Sequence, residues 1–110
     1  MYTTARKIHV ENLTSSRSGE AVRNQFSIDF DDHICFQSYE SLIAVYSRQS
    51  GELVLGYDFD YSRTTSKYLH QWMYENCYRI LANLPAGKSF TDQLRKAIDK
   101  GLIGYDDNMR

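Results

Sequence analysis

YDFDYSRTTSKYLHQWMYENC, residues Tyr57 to Cys77, decides the fold. It opens with apolar residues alternating with acids, Tyr57, Phe59 and Tyr61 against Asp58 and Asp60, a strand-like period of two. A turn of four hydroxyls and two cations follows, Ser62-Arg63-Thr64-Thr65-Ser66-Lys67. From Leu69 the apolar residues recur at three and four: Leu69, Trp72, Met73, Cys77, Ile80, Leu81 and Leu84. That spacing predicts one apolar helical face over residues 62–84, with Ser62, Thr64 and Thr65 as candidate N-caps. Strands are therefore expected before this stretch and helix after it.

Upstream, Gln25 to Phe30 alternates, with Phe26, Ile28 and Phe30 expected to face the core. Asp31-Asp32 marks a turn, and His33 to Ser38 is expected to pair back, adding Ile34 and Phe36 to that face. Leu42 to Ser47 is an almost unbroken apolar run, expected as a central strand. Gln49-Ser50-Gly51 is the next turn, and Glu52 to Gly56 returns. Connections this short join antiparallel neighbours. Thr3 to Val10 is a candidate edge strand, and the polar Asn12 to Asn24 reads as a long loop.

Downstream, Pro85 and Gly87 stop the main helix. Ser89, with Asp92 three residues on, starts a second at 89–100, carrying Phe90, Leu94, Ala97 and Ile98. That helix is expected either to pack at the sheet edge or to serve as a homodimer contact. Residues 102–110 read as a tail. The expected fold class is α+β: one domain over 1–110, with an antiparallel meander of about four or five strands under one main helix.

At 110 residues the chain is expected to hold a single core. The N-terminus has no hydrophobic signal core and no segment is apolar enough to span a membrane, so a cytoplasmic protein without a disulfide is expected. The net charge of −1 is unevenly spread. Residues 25–60 carry seven anions against one cation, and residues 61–100 carry seven cations against three anions. Either the two layers attract each other, or one of them faces a charged partner. Nine tyrosines are an excess, and tyrosine serves contact surfaces as well as cores.

Several chemistries are excluded or weakened. Gly87-Lys88-Ser89 lacks the earlier glycine of a phosphate loop, since Ala82 stands there, and a helix rather than a strand precedes it. Asp58-x-Asp60 reads as a solvated strand face rather than a metal pair. Cys35 and Cys77, with His9, His33 and His70, fit no zinc spacing and no local nucleophile–base pair, so neither an enzyme nor a cofactor is expected. The turn at 62–67 places hydroxyls and cations where a helix offers free N–H groups, a potential anion contact. The alternative is a capped helix whose Arg63 and Lys67 pair with Asp58 and Asp60. The aromatic series Tyr57, Phe59, Tyr61, Tyr68 and Trp72 reads either as core under the helix or as a stacking platform.

A family likeness rests on these same residues. Arg17-Ser18-Gly19, Asn24-Gln25-Phe26, Phe36-Gln37-Ser38-Tyr39, Ile43-Ala44 and Asp60-Tyr61-Ser62-Arg63-Thr64-Thr65-Ser66-Lys67-Tyr68 occur in this order. In them the chain resembles a group of small proteins of unknown function encoded by bacteriophages, prophages and plasmids. The likeness spans roughly residues 17 to 73, and the residues from Leu84 onward extend beyond the shorter members. The resemblance implies an accessory protein of a mobile element, acting in a bacterial host cell. Such proteins commonly inhibit host defence, anti-CRISPR proteins among them, and no catalytic residue is implied. The expectation is a non-enzymatic inhibitor that binds a CRISPR effector nuclease and blocks its nucleic-acid-binding surface. Its expected contacts are Tyr61, Arg63, Lys67 and Tyr68 with the acids Asp31, Asp32, Asp58 and Asp60. Two other readings stay open: a small DNA- or RNA-binding protein using the basic helix start, and a sponge for a nucleotide signal.

Overall fold

The computed structural model describes residues 7–110. Six strands form one sheet in sequence order. They are β1 (His9–Thr14), β2 (Ala21–Asp29), β3 (His33–Ser38), β4 (Ser41–Ser47), β5 (Leu53–Gly56) and β6 (Gly104–Asp106). Between the last two lie α1 (Arg63–Asn76), α2 (Tyr78–Ala82) and α3 (Phe90–Asp99). Strands β1 to β5 are antiparallel neighbours, as their short connections require. The fold is α+β.

Three expectations are corrected at the chain's ends. The loop expected over Asn12 to Asn24 is a hairpin: β1 runs on to Thr14, residues 15–20 turn, and β2 begins at Ala21. Edge strands exposed on both faces can be polar throughout, which erases the alternating signal; Leu13 alone in β1 is buried. Of the edge strand expected over Thr3 to Val10, Thr3 to Arg6 lie outside the described residues, and β1 starts at His9. The expected tail contains β6, which pairs with β5 in parallel. A parallel partner needs a long crossover, and the whole helical segment supplies it.

The helix expected over 62–84 is two helices. Cys77 leaves helical geometry at φ −145 and ψ 54, and its N–H still reaches the Met73 carbonyl. Asn76 also donates its side-chain amide to the Trp72 carbonyl, folding its own side chain back onto the ending helix. The break keeps the apolar phase, so spacing alone could not reveal it. Cys77 stays buried, and Ile80, Leu81 and Leu84 still pack on the core edge.

Residues in cross-strand register share a sheet face. Phe36 is opposite Ser27 and Ala44, and Ala44 is opposite Leu55. This face carries Trp72, Leu69 and Met73 of α1 in one core with Leu94 and Ala97 of α3 and Ile103. Trp72 is fully buried and stacks on Phe36 at 6.1 Å between ring centres. A bulge between β3 and β4 inserts Ile43 into the same core.

The expected inward face of β2 is reversed. Phe26 and Ile28 are opposite Gln37 and Cys35, on the sheet face away from the helices. Gln25 and Ser27 point to the helical side instead. Alternation gives a phase, but only pairing with β3 decides which phase meets the helix. Gln25 is consequently buried, and neither of its amide atoms has a hydrogen-bonding partner; the same holds for Nε1 of Trp72. Among the described residues, no helix is long and apolar enough to cross a membrane.

Candidate functional site

The hydroxyl-rich turn divides its labour. Ser62 is the N-cap of α1, its Oγ accepting from the Thr65 N–H at 3.1 Å. Thr65 is buried, and its hydroxyl bonds Ser62 and also Ser38 of β3 at 2.9 Å, tying the helix start to the sheet. Thr64 and Ser66 are not needed for this cap. Each faces a different recess, one on either side of Ser62.

The first recess, of about 790 Å³, lies between the α1 start and the β3–β4 turn. Ser38, Ser41, Thr64 and Thr65 supply hydroxyls, and Glu40 and Asp58 supply carboxylates. Among the described residues, no lysine or arginine lines it. Tyr39 and Tyr61 stand at it, both exposed. Asp58 accepts from the Ser41 hydroxyl at 3.0 Å, which holds the carboxylate against β4. Tyr39 has φ +56 and neighbouring Asn24 has φ +64, and the Tyr39 N–H reaches the Asn24 carbonyl at 2.6 Å. A bulky residue in the left-handed region is uncommon and marks a turn held by its surroundings.

The second recess, of about 600 Å³, lies between the starts of α1 and α3. Arg63, Lys67 and His70 line it with Asp60, Ser66, Phe90 and Thr91. Ser89 caps α3 by accepting from the Asp92 N–H, and Asp92 accepts from the Lys88 N–H at 2.9 Å. That bond, with nearby Lys96, lowers the Asp92 pKa. Lys67 stands over the Tyr68 ring at 5.2 Å. Neither Arg63 nor Lys67 forms an ion pair among the described residues. The internal pairing open to them is taken elsewhere: Asp60 is bound by Arg95 of α3, and Asp58 by Ser41.

The expected contact residues divide into three groups. Tyr61, Arg63, Lys67, Asp58 and Asp60 come together around Ser62. Tyr68 is buried at 8% exposure and belongs to the core, because the α1 face that carries Leu69 and Trp72 also carries it. Asp31 and Asp32 sit at the opposite end of the sheet, in the β2–β3 turn. There Arg48 donates to both carboxylate oxygens of Asp29, at 2.8 and 3.1 Å, and to the Asp31 carbonyl at 2.7 Å. This arginine holds the Asp29 carboxyl down to about 2. The aromatic series divides too, with Phe59, Tyr68 and Trp72 in the core and Tyr57 and Tyr61 exposed.

The residues missed from sequence are Tyr39, Glu40 and Tyr105. Tyr39-Glu40 is a two-residue turn between paired strands, and an aromatic there cannot join the core; that signal was available. Tyr105 is brought beside Phe59 by the parallel strand, at 6.2 Å between ring centres, and nothing local announces it. Both thiols are free and buried: burial raises the pKa of Cys35 and pushes that of Cys77 up to about 12. His70 packs edge-on to Phe90, and His33 bonds Asp32. No group of three or more His, Cys, Asp or Glu converges to hold a metal among the described residues.

The chain belongs to a family of unknown function (DUF8033), whose model matches residues 8–83. No curated protein and no solved structure matches it. The matched region ends with α2, so α3 and β6 lie beyond it.

Proposed function

We propose that the protein is a non-enzymatic inhibitor that binds a host-defence protein, an effector nuclease of the CRISPR type, and occupies its nucleic-acid-binding surface in the bacterial cytoplasm. The observation that carries the binding reading is the surface around Ser62. Tyr61, 74% exposed, stands there at the acidic recess, and Arg63 and Lys67 line the other recess across Ser62. Tyr39, Tyr57 and Tyr105 extend the aromatic area around it, and large exposed rings with opposed charges beside them suit a protein contact. Burial keeps both thiols protonated and poor as nucleophiles, which accords with a role in binding rather than catalysis. The class of partner comes from the Tyr-Ser-Arg-Thr-Thr-Ser-Lys-Tyr resemblance.

One observation favours a second reading, direct contact with nucleic acid: neither Arg63 nor Lys67 forms an ion pair among the described residues. Against it stand the net charge of −1 and the acidic recess alongside, which limit the phosphates that can be neutralised. Titration of the purified protein into a guide-loaded CRISPR effector cleaving target DNA separates the readings. Inhibition should saturate at stoichiometric protein, and capture of the effector should survive nuclease digestion. Tyr61→Ala combined with Arg63→Ala and Lys67→Ala should abolish both. Inhibition far below stoichiometry would indicate an enzyme, and a tight, steeply salt-dependent complex with bare DNA or RNA would establish the second reading.

A further inference from the structure

Resting on that binding reading, we infer that the acidic recess beside Ser62 receives an arginine-bearing segment of the protein partner, the guanidinium seated between the Tyr39 and Tyr61 rings and the carboxylates of Glu40 and Asp58. Three observations converge. Among the described residues, two carboxylates and no cation line the recess, and Glu40 has no hydrogen-bond or ion-pair partner of its own. Asp58 is held in place by Ser41 while keeping a second oxygen for a further donor. The two exposed rings line the recess with the acids, and the tyrosine next to Asp58 in the chain, outside the recess, shows how such a ring takes a guanidinium: Arg110 lies over the Tyr57 ring at 4.1 Å. Among the described residues, Tyr39 and Tyr61 carry no such cation.

Arginine fits this chemistry better than lysine. Its planar group can stack on a ring and donate two parallel hydrogen bonds to a carboxylate, where an ammonium is a point charge. The hydroxyls of Thr64 and Ser41 offer acceptors for its remaining N–H groups. The volume of about 790 Å³ exceeds one side chain, so the occupant is a short segment rather than an isolated group. A surface built to hold nucleic acid is rich in arginine, which joins this recess to the proposed partner class.

The test is an amide-resolved NMR titration of the full chain with N-acetyl-Gly-Arg-Gly-amide and with the same peptide carrying citrulline, the neutral isostere. The arginine peptide should give saturable shifts confined to residues 38–43 and 58–65. The citrulline peptide should bind about tenfold more weakly, since it lacks the charge that strengthens hydrogen bonds to a carboxylate. Glu40→Gln with Asp58→Asn, which keeps an acceptor for Ser41, should remove the difference between the peptides. No saturable shift, or equal binding of both peptides to the parent protein, overturns the inference. If the peptides fail while Tyr61-dependent inhibition persists, only this occupant falls. If the arginine peptide binds as described but no effector is captured or inhibited, the functional reading falls and the recess keeps its chemistry.

Discussion

The two ends of the sheet carry similar residues and treat them differently. At the β2–β3 turn, Asp29 and Asp31 meet Arg48, whose own backbone N–H bonds the Asp32 carbonyl. Donors and acceptors there satisfy one another. At the other end, Glu40, Arg63 and Lys67 sit near exposed tyrosines without ion pairs of their own among the described residues. Charge that is neutralised within the fold serves the fold. Charge left open beside aromatic surface costs solvation only when something covers it, and is therefore available for binding.

The strongest perturbation should erase the contrast altogether. Trp72 is fully buried in the one core between sheet and helices, stacked on Phe36 of β3. Trp72→Ala should lower stability by about 3–5 kcal/mol, measured by denaturant unfolding, with both ends losing hydrogen-exchange protection together. A parent-like unfolding midpoint would mean that the ends are not held by one core.

A smaller change should affect the open end first. A Cβ on Gly56 would lie 2.5 Å from the Met109 carbonyl oxygen and 2.6 Å from that of Leu42. Gly56→Ala should cost about 1–3 kcal/mol and disturb NMR signals of residues 57–61 and 104–110 before those of the Arg48 turn. Uniform disturbance would show that the tail is not a local support.

The contrast sharpens with charge removal. Arg63→Ala with Lys67→Ala should change stability by less than about 0.5 kcal/mol, because neither forms an ion pair among the described residues. Partner binding should weaken about tenfold or more by calorimetry. Unchanged binding by a well-folded double variant would remove this turn from the functional surface.

The smallest effect belongs to the closed end. The Asp29 pKa lies near 2, below its unfolded value of 3.8. Its contribution to stability is thus fully present above about pH 4 and lost as pH falls towards 2. The pair is partly exposed, so screening limits it to about 0.2–1 kcal/mol. In urea unfolding, Arg48→Ala should remove that part of the acid dependence and leave partner binding unaltered at neutral pH.

Much of this organisation was legible along the chain. Ser62 and Ser89 announce their helices because a cap depends on residues three apart. The hairpins of β2 to β5 follow from short turns between apolar runs. The stripe through Leu69, Trp72 and Met73 identifies the core face of α1, and the same periodicity places Tyr68 beside it rather than at the surface.

Local sequence by itself determined the strand-then-helix order, the helix starts and the α+β class, since periodicity, capping and turn chemistry act within a few residues. Tertiary structure alone decided which face of β2 meets the helices, because that depends on register with β3. It alone turned residues 104–106 into a strand, because a parallel partner is reached only after a crossover of helices. It also separated Asp31 and Asp32 from the other acids while drawing Tyr39 and Glu40 to the helix start at Ser62. Antiparallel pairing sends successive turns to opposite ends of a sheet, so residues near in sequence part and residues some twenty apart meet.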